Sequence, residues 1–347
     1  MIDLTNLEEI KKLDPKNVYE STEMLADQCL SIWELVKKTD VPLEFKNKKN
    51  SVICAMGGSM YGAYVLRAIF HDSLKIPVIS VGDYNLPGFT CKDSLIILSS
   101  YSGGTEEPLH CAEEAIEKNL PLLTLTNGGK ALEISQKSNT PAIVFDAKYN
   151  PSGQPRLGMG YIVFGTLGIF NKLGFISLSD EQIKKSIEFI VGRRNDIEND
   201  ARKMAQEIYG HIPLIMAAQH LNGNIHIIGN QINETAKSFS AYSELPELNH
   251  HLLEGFKNPP DKKLKVLFIN SALYSEKLSK RLALTKDIAI KNNVNWVEFK
   301  PQGGDKVSQV LEVLSFGAYL SFYLSILYGQ DPSLIPWVDY FKEQLSK

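Results

Sequence analysis

Two short segments rich in glycine and hydroxyl side chains each follow an apolar run and precede a helical pattern. Residues 57–62 read GGSMYG, and residues 99–106 read SSYSGGTE. The second segment places Ser100, Ser102 and Thr105 within six residues. Three hydroxyls and the free amide groups of a helix N-terminus can surround the oxygens of one phosphate ester without a lysine. An ordinary helix cap needs a single hydroxyl, so this cluster favours phosphate binding.

The segment GGSMYG is less specific by itself. Gly58 lets the backbone approach a ligand, and Ser59 offers a hydroxyl to a phosphate. A dinucleotide-binding fingerprint requires a glycine where Ser59 stands, although Asp83 lies at a suitable distance for its acidic residue. Taken alone, the segment is compatible with a tight turn, a monophosphate site or a dinucleotide site.

Short apolar runs that alternate with helical patterns predict the elements that position these segments. In the first half of the chain the predicted strands are 51–56, 76–81, 94–99, 121–126 and 141–145. In the second half they are 212–217, 266–270 and 294–299. Continuous apolar strands between helices predict parallel sheets with helices on both faces, which bind ligands at the carboxyl ends of the strands.

The organisation of the chain is predicted as four segments. These are an N-terminal helical segment (1–50), a first α/β domain that binds phosphate (51–176), a polar connecting helix (177–209) and a second α/β domain with a C-terminal helix (210–347). A capping box, with Ser179 as N-cap and Gln182 three residues later, predicts where the connecting helix begins. Residues 224–228 (NIHII) are ambiguous, because they have the composition of a strand but precede a helical pattern.

Composition narrows the class of protein. The 347 residues carry 40 acidic and 37 basic side chains, a net charge of −3, which argues against nucleic acid as the main partner. The four cysteines and seven histidines show no metal-ligand spacing, so no metal or cofactor is expected. The N-terminal residues lack a signal-peptide pattern, and the longest uncharged run, Val313–Gln330, predicts a buried helix rather than a membrane span. A cytoplasmic protein is expected.

Five landmarks together resemble one family. They are GGS (57–59), SYSGGT (100–105), GQPR (153–156), the pair NQINETAK and PELNH between 230 and 250, and a C-terminal lysine helix. SYSGGT is similar to the signature of sugar isomerase (SIS) domains, which bind phosphosugars. Two such domains in one chain resemble the bifunctional phosphoglucose/phosphomannose isomerases. The resemblance implies two flavodoxin-like SIS subdomains with the active site in the cleft between them.

The resemblance also implies catalytic roles for residues that are otherwise unremarkable. Glu234 would be the base that moves a proton between C1 and C2, whereas without the family it would pair with Lys237 on a solvated helix face. His250, preferred over the adjacent His251, and Lys342 would open the sugar ring. Arg156 would stabilise the enediolate.

The implied reaction interconverts glucose 6-phosphate and fructose 6-phosphate, and also mannose 6-phosphate, without a cofactor. The implied substrate-binding residues are Gly58, Ser59, Ser100, Ser102, Thr105, Arg156 and His250. A homodimer is expected, with no nucleic-acid or membrane partner, and in this superfamily the histidine can come from the second subunit. The alternatives are an isomerase of an amino-sugar or pentose phosphate, a non-catalytic SIS protein that senses a phosphosugar, and a dinucleotide-dependent oxidoreductase, which Ser59 disfavours.

Overall fold

The computed structural model describes residues 3–345 and 347 as nine strands and fourteen α-helices. The strands are β1 (Asn50–Cys54), β2 (Val78–Val81), β3 (Ser94–Ser100), β4 (Leu122–Thr126), β5 (Ala142–Val144), β6 (Ile212–Ala218), β7 (Ala241–Leu245), β8 (Leu264–Ile269) and β9 (Asn295–Phe299). The helices are α1 (Leu7–Leu13), α2 (Val18–Glu23), α3 (Leu25–Lys38), α4 (Tyr61–Ile69), α5 (Glu106–Glu117), α6 (Gly129–Ser138), α7 (Met159–Lys172), α8 (Asp180–Gly192), α9 (Arg194–Ile208), α10 (Asn222–Thr235), α11 (Leu252–Gly255), α12 (Glu276–Lys291), α13 (Lys306–Leu327) and α14 (Pro336–Leu345).

Contacts divide the chain into two compact units. The N-terminal unit is Met24–Glu188, and the C-terminal unit consists of the residues up to Glu23 together with Phe189–Lys347. These units are defined by contacts between residues, and their boundaries are not boundaries of domains in the sense of a sequence family. The four-segment division with boundaries at 50, 176 and 209 therefore stays a prediction.

The N-terminal unit is built on a parallel five-stranded sheet in the order β2-β1-β3-β4-β5. Alternate strand residues such as Val52, Ile96 and Leu122 share a buried cluster with Leu109 and other residues of α5 and α6. The intervening residues face the other way, where α7 packs on β4 and α3 packs on α7. Both faces are thus covered, which explains the continuous apolar strands and confirms the predicted fold class for this unit.

The C-terminal unit repeats the same topology with one strand fewer. Its parallel sheet has the order β7-β6-β8-β9, so the first strand again lies between the second and the third. The 22-residue helix α13 packs on α9 and α10. By length and composition alone this helix could cross a membrane, but its whole apolar window is buried inside the protein. The prediction that residues 313–330 contribute a buried core helix is confirmed through Leu327, where α13 ends.

Three local predictions can be compared with the structure. Ser179 is confirmed as the N-cap, because the amide of Gln182 donates to Ser179 Oγ at 3.1 Å. The predicted single connecting helix is two helices, α8 and α9, which are interrupted at Arg193 directly after Gly192. Residues 224–228 lie within α10, which resolves their ambiguity. Strand β7 was not predicted from the sequence.

Candidate active site

The two glycine-rich segments meet at the carboxyl ends of β1 and β3, which are neighbouring strands. This is the point where the strand order reverses, and open parallel sheets bind ligands there. Residues Gly57–Met60 form a 3₁₀ turn after β1. The amide of Tyr101 donates to Ser59 Oγ at 2.8 Å, and Ser99 Oγ donates to the backbone oxygen of Ser59 at 3.0 Å. Ser59 therefore joins the two turns, and its hydroxyl hydrogen can still be donated to a ligand.

The three hydroxyls of the second segment have different environments. Ser100 is fully buried, and within the described chain its Oγ has no hydrogen-bond partner. Thr105 occupies the N-cap position of α5, but its side chain makes no capping hydrogen bond. Ser102 is exposed and accepts a long hydrogen bond of 3.4 Å from the amide of Gly104. The simple explanation of this cluster as a helix cap is therefore not supported, and its hydroxyls remain suited to an anion at the α5 N-terminus.

The backbone of this segment requires glycine at Gly103. Its φ is +67°, and a Cβ at this position would lie 1.8 Å from the backbone oxygen of Gly128. The amide of Ala131 also donates to the oxygen of Gly103 at 2.9 Å. The turn after β3 is thus pressed against the turn after β4, which holds the hydroxyl cluster in place.

Arg156 lies beside the turn that contains Gly58. A Cβ added to Gly58 would be 3.1 Å from the Cα of Arg156. Arg156 is only 1 % exposed, and its Nη1 donates to Gln154 Oε1 at 2.9 Å. The structure therefore brings Gly58, Ser59, Ser100 and Arg156 into one region of the N-terminal unit. A guanidinium and hydroxyl groups in the same region are suited to an anionic substrate or intermediate.

The corresponding strand ends in the C-terminal unit are arranged differently. There the side chain of Tyr274, only 6 % exposed, connects the ends of β6 and β8. Its hydroxyl accepts from the amide of Ala218 at 3.1 Å and donates to the oxygen of Ile269 at 2.9 Å. The hydroxyl- and glycine-rich turns that form the candidate phosphate site lie in the N-terminal unit.

Glu234, His250 and Lys342 lie on three separate elements of the C-terminal unit. Glu234 is half-buried in the last turn of α10. His250 is exposed at the end of the 3₁₀ turn Glu247–His250, and Lys342 is exposed on α14. The neighbouring His251 Nε2 lies 2.7 Å from Glu247 Oε2. His251 therefore has a local partner, and the preference for His250 stays a prediction.

Curated relatives align with most of the chain. The chain is 31% identical over 346 residues to the bifunctional phosphoglucose/phosphomannose isomerase of Caldicellulosiruptor bescii. The alignment covers 95% of this chain and 99% of the relative. The chain belongs to the bifunctional phosphoglucose/phosphomannose isomerase family. The family member from Aquifex aeolicus is 28% identical over 321 residues, or 91% of this chain and 94% of that protein.

A domain model and solved structures show the fold to which the chain is similar. The model of the bacterial phospho-glucose isomerase C-terminal SIS domain matches residues 197–345. The C-terminal domain of glucosamine-fructose-6-phosphate aminotransferase from Francisella tularensis superposes with a TM-score of 0.64 at 16% identity, covering 89% of this chain and 96% of that one. Glucosamine-6-phosphate deaminase from Thermotoga maritima gives 0.63 at 16%, with 91% and 97% covered. The predicted SIS-type fold is confirmed.

Tyr101 and Asn150 support the family's glycine- and arginine-containing segments but were not singled out from the sequence. Asn150 Nδ2 donates to the Tyr101 hydroxyl at 2.8 Å and to the oxygen of Gln154 at 2.9 Å. Burial raises the pKa of Tyr101, although the hydrogen bond from Asn150 opposes this shift. The position of Tyr101 within the SYSGGT segment is the feature of the sequence from which its supporting role could have been predicted. These contacts tie the loop that carries Arg156 to the end of β3.

The described residues contain no group of three or more histidine, cysteine or acidic side chains that could hold a metal ion. Burial lowers the pKa of His220, so this imidazole is neutral near pH 7. The Nε2 of His220 lies 2.9 Å from Gln309 Oε1, which gives it a role in packing within the C-terminal unit.

Proposed function

We propose that this chain interconverts glucose 6-phosphate and fructose 6-phosphate, and mannose 6-phosphate and fructose 6-phosphate. The observation that carries the proposal is that Ser100 Oγ has no partner within the described chain and Thr105 makes no capping hydrogen bond at the α5 N-terminus, in a chain of this isomerase family. Ser59, Ser100, Ser102 and Thr105 would hold the phosphate. Binding energy far from the reacting carbons would then position C1 and C2.

The proton chemistry is assigned to residues of the C-terminal unit. His250 and Lys342 would open the ring by moving a proton between the ring oxygen and the C1 hydroxyl. Glu234 would remove the proton from C2 of the open aldose and return it to C1, through a cis-enediol. The guanidinium of Arg156 would stabilise the negative charge on the enediolate oxygens. Glucose and mannose 6-phosphates are C2 epimers that share this enediol, so one site that protonates either face of C2 can use both.

Coupled assays test the function directly. Fructose 6-phosphate is supplied with glucose-6-phosphate dehydrogenase and NADP⁺, and mannose 6-phosphate is supplied with the same dehydrogenase and NADP⁺ and with no other isomerase. We expect NADPH to form in both assays. Fructose 6-phosphate is converted directly to glucose 6-phosphate, and mannose 6-phosphate is converted to it by way of fructose 6-phosphate. Parallel reactions with glucosamine 6-phosphate and ribose 5-phosphate address the other phosphosugar isomerases. Turnover of only one of those, or binding of fructose 6-phosphate without turnover, would overturn the proposal.

We propose further that the reaction needs no metal. Proton transfer through an enediol can be carried out by a carboxylate and an imidazole alone. Exhaustive dialysis against EDTA should leave the rate with fructose 6-phosphate unchanged. Loss of activity that zinc or magnesium restores would contradict this.

We propose a cytoplasmic homodimer that binds neither nucleic acid nor membranes. The four cysteines are free thiols, which favours a reducing compartment. No residue of α14 is buried, and Trp337 and Phe341 on it are 80% and 62% exposed, which favours a partner surface in the functional protein. Light scattering coupled to size exclusion should give the mass of two chains. A single chain mass at assay concentration would refute the dimer.

A further inference from the structure

Helix α14, which carries Lys342, has no buried residue of its own, so its placement depends on the segment before it. A ten-residue helix is marginally stable when it does not pack on a core. The preceding residues Pro332 and Ser333 are buried. Asp331 Oδ1 accepts hydrogen bonds from the amide and the hydroxyl of Ser333, both at 2.7 Å. The short segment 331–333 is therefore the anchor from which α14 begins.

Lys237 connects this anchor to the helix that carries Glu234. Its ammonium donates to the backbone oxygen of Thr235 at 3.0 Å and also to the backbone oxygen of Asp331. Thr235 is the last residue of α10 and follows Glu234 directly. One side chain thus binds the end of α10 and the anchor of α14, although Lys237 and Asp331 lie 94 residues apart in sequence.

The backbone of Lys237 indicates that this contact is more than a helix cap. Its φ is +50°, in the left-handed region where glycine is the usual residue after a helix. Among the described residues six non-glycine positions have positive φ, and four of them are asparagine, which tolerates that region best. A lysine there is unfavourable for the backbone. A cation that only neutralised the helix end could occupy an ordinary position in the last turn.

We propose that Lys237 is a positioning residue that sets the location of α14, and with it Lys342, relative to Glu234. The inference rests on the proposed function, because it matters to catalysis only if Lys342 assists ring opening. Lys342 lies six residues into α14, about 9 Å along the helix from its start. A change of direction at the anchor would therefore displace its ammonium by several ångströms.

The test uses substitutions that separate the backbone from the side chain. Lys237→Gly relieves the positive φ and removes the ammonium, whereas Lys237→Arg keeps a cation with several donors. Asn293→Gly is the matched control, because it relieves a positive φ (+55°) after helix α12 of the same unit. If Lys237 only ended helix α10, the Lys237→Gly and Asn293→Gly substitutions would have the same effects on hydrogen exchange and on kcat.

The first measurement is hydrogen exchange of the amides of residues 334–345 in the full-length protein. We expect exchange at least 10-fold faster in Lys237→Gly, and exchange within 2-fold of wild type in Lys237→Arg and Asn293→Gly. Unchanged exchange in Lys237→Gly would overturn the inference. This measurement needs no activity, so it decides the placement of α14 even if the wild type fails the isomerase assay and the proposed function falls.

The second measurement is steady-state kinetics with glucose 6-phosphate. Lys237→Gly should lower kcat about 10-fold with KM changed less than 2-fold, because the phosphate site lies in the N-terminal unit. In a Lys342→Met background the same substitution should change kcat less than 2-fold, since the residue that it positions is already absent. Additive losses in the double variant, or an equal loss in Asn293→Gly, would show that Lys237 acts on stability alone.

Discussion

Replacing Ser100 by alanine should have opposite effects on stability and on substrate binding. Ser100 is fully buried at the end of β3, and its Oγ has no partner among the described residues. A buried hydroxyl without a partner costs about 1–3 kcal/mol, because its hydrogen bonds to water are lost. Ser100→Ala removes that cost, and the lost packing of one oxygen atom offsets part of the gain. We expect the ligand-free protein to be about 1 kcal/mol more stable, or roughly 2–4 °C higher in Tm for a unit of this size.

The same substitution should weaken substrate binding. If Ser100 Oγ donates to the phosphate, the lost charge-assisted hydrogen bond is worth about 1.5–3 kcal/mol. Because 1.4 kcal/mol corresponds to a factor of ten, KM for fructose 6-phosphate should rise about 10-fold or more. Removing the Thr105 hydroxyl as well should not reduce this effect. The coupled assay gives KM, and thermal unfolding with and without fructose 6-phosphate gives the stability difference.

Ser135→Ala is the matched control for a buried hydroxyl in the same unit. Ser135 is 1% exposed, its Oγ donates to the oxygen of Ala131 at 3.0 Å, and it lies 2.7 Å from Thr124 Oγ1. Its removal should lower stability by about 1 kcal/mol and leave KM unchanged. If Ser100→Ala instead lowers Tm as Ser135→Ala does, and KM stays at the wild-type value, the Ser100 hydroxyl is structural and the phosphate assignment is wrong.

Three further predictions address other parts of the chain. Glu234→Gln should lower kcat about 10²-fold with little change in KM. It should also slow exchange of the C2 hydrogen of the substrate in deuterated water. Exchange at the wild-type rate would show that Glu234 is not the base. Gly103→Ala should lower the free energy of unfolding by about 2–3 kcal/mol and raise KM, because the new Cβ would lie 1.8 Å from the Gly128 backbone oxygen. A melting curve identical to that of the wild type would contradict this close approach. Burial lowers the pKa of His226 to about 4. Since the unfolded imidazole binds its proton near pH 6.5, the free energy of unfolding should fall as the pH falls from about 6.5 to 4. Measured by urea unfolding, this fall should be shallower in His226→Gln. Equal slopes of unfolding free energy against pH in the two proteins would refute the prediction.

Most of the strands could be predicted locally because they are buried on both faces. β1, β3 and β4 are continuous apolar runs, as a parallel sheet between two helix layers requires. β7 could not be recognised, since it is an edge strand with alternating exposure, and the sequence AYSEL has no apolar run. Residues 224–228 have the β-branched composition of a strand, but they are helical because α10 packs on the buried helix α13. Gly317 of α13 permits this packing, since a Cβ there would lie 2.6 Å from Ile228 Cγ1.

The sequence by itself determined the positions of the two hydroxyl- and glycine-rich turns, the resemblance to the isomerase family and the identities of the candidate catalytic residues. These depend on residue type and spacing along the chain, which folding does not change. Only the tertiary structure decided that Ser59 joins the two turns, that Thr105 does not cap α5, and that Lys237 reaches Asp331. Each of these depends on which groups compete for the same hydrogen bond, and the competing groups come from segments that are distant in sequence and become neighbours only when the sheets and helices pack.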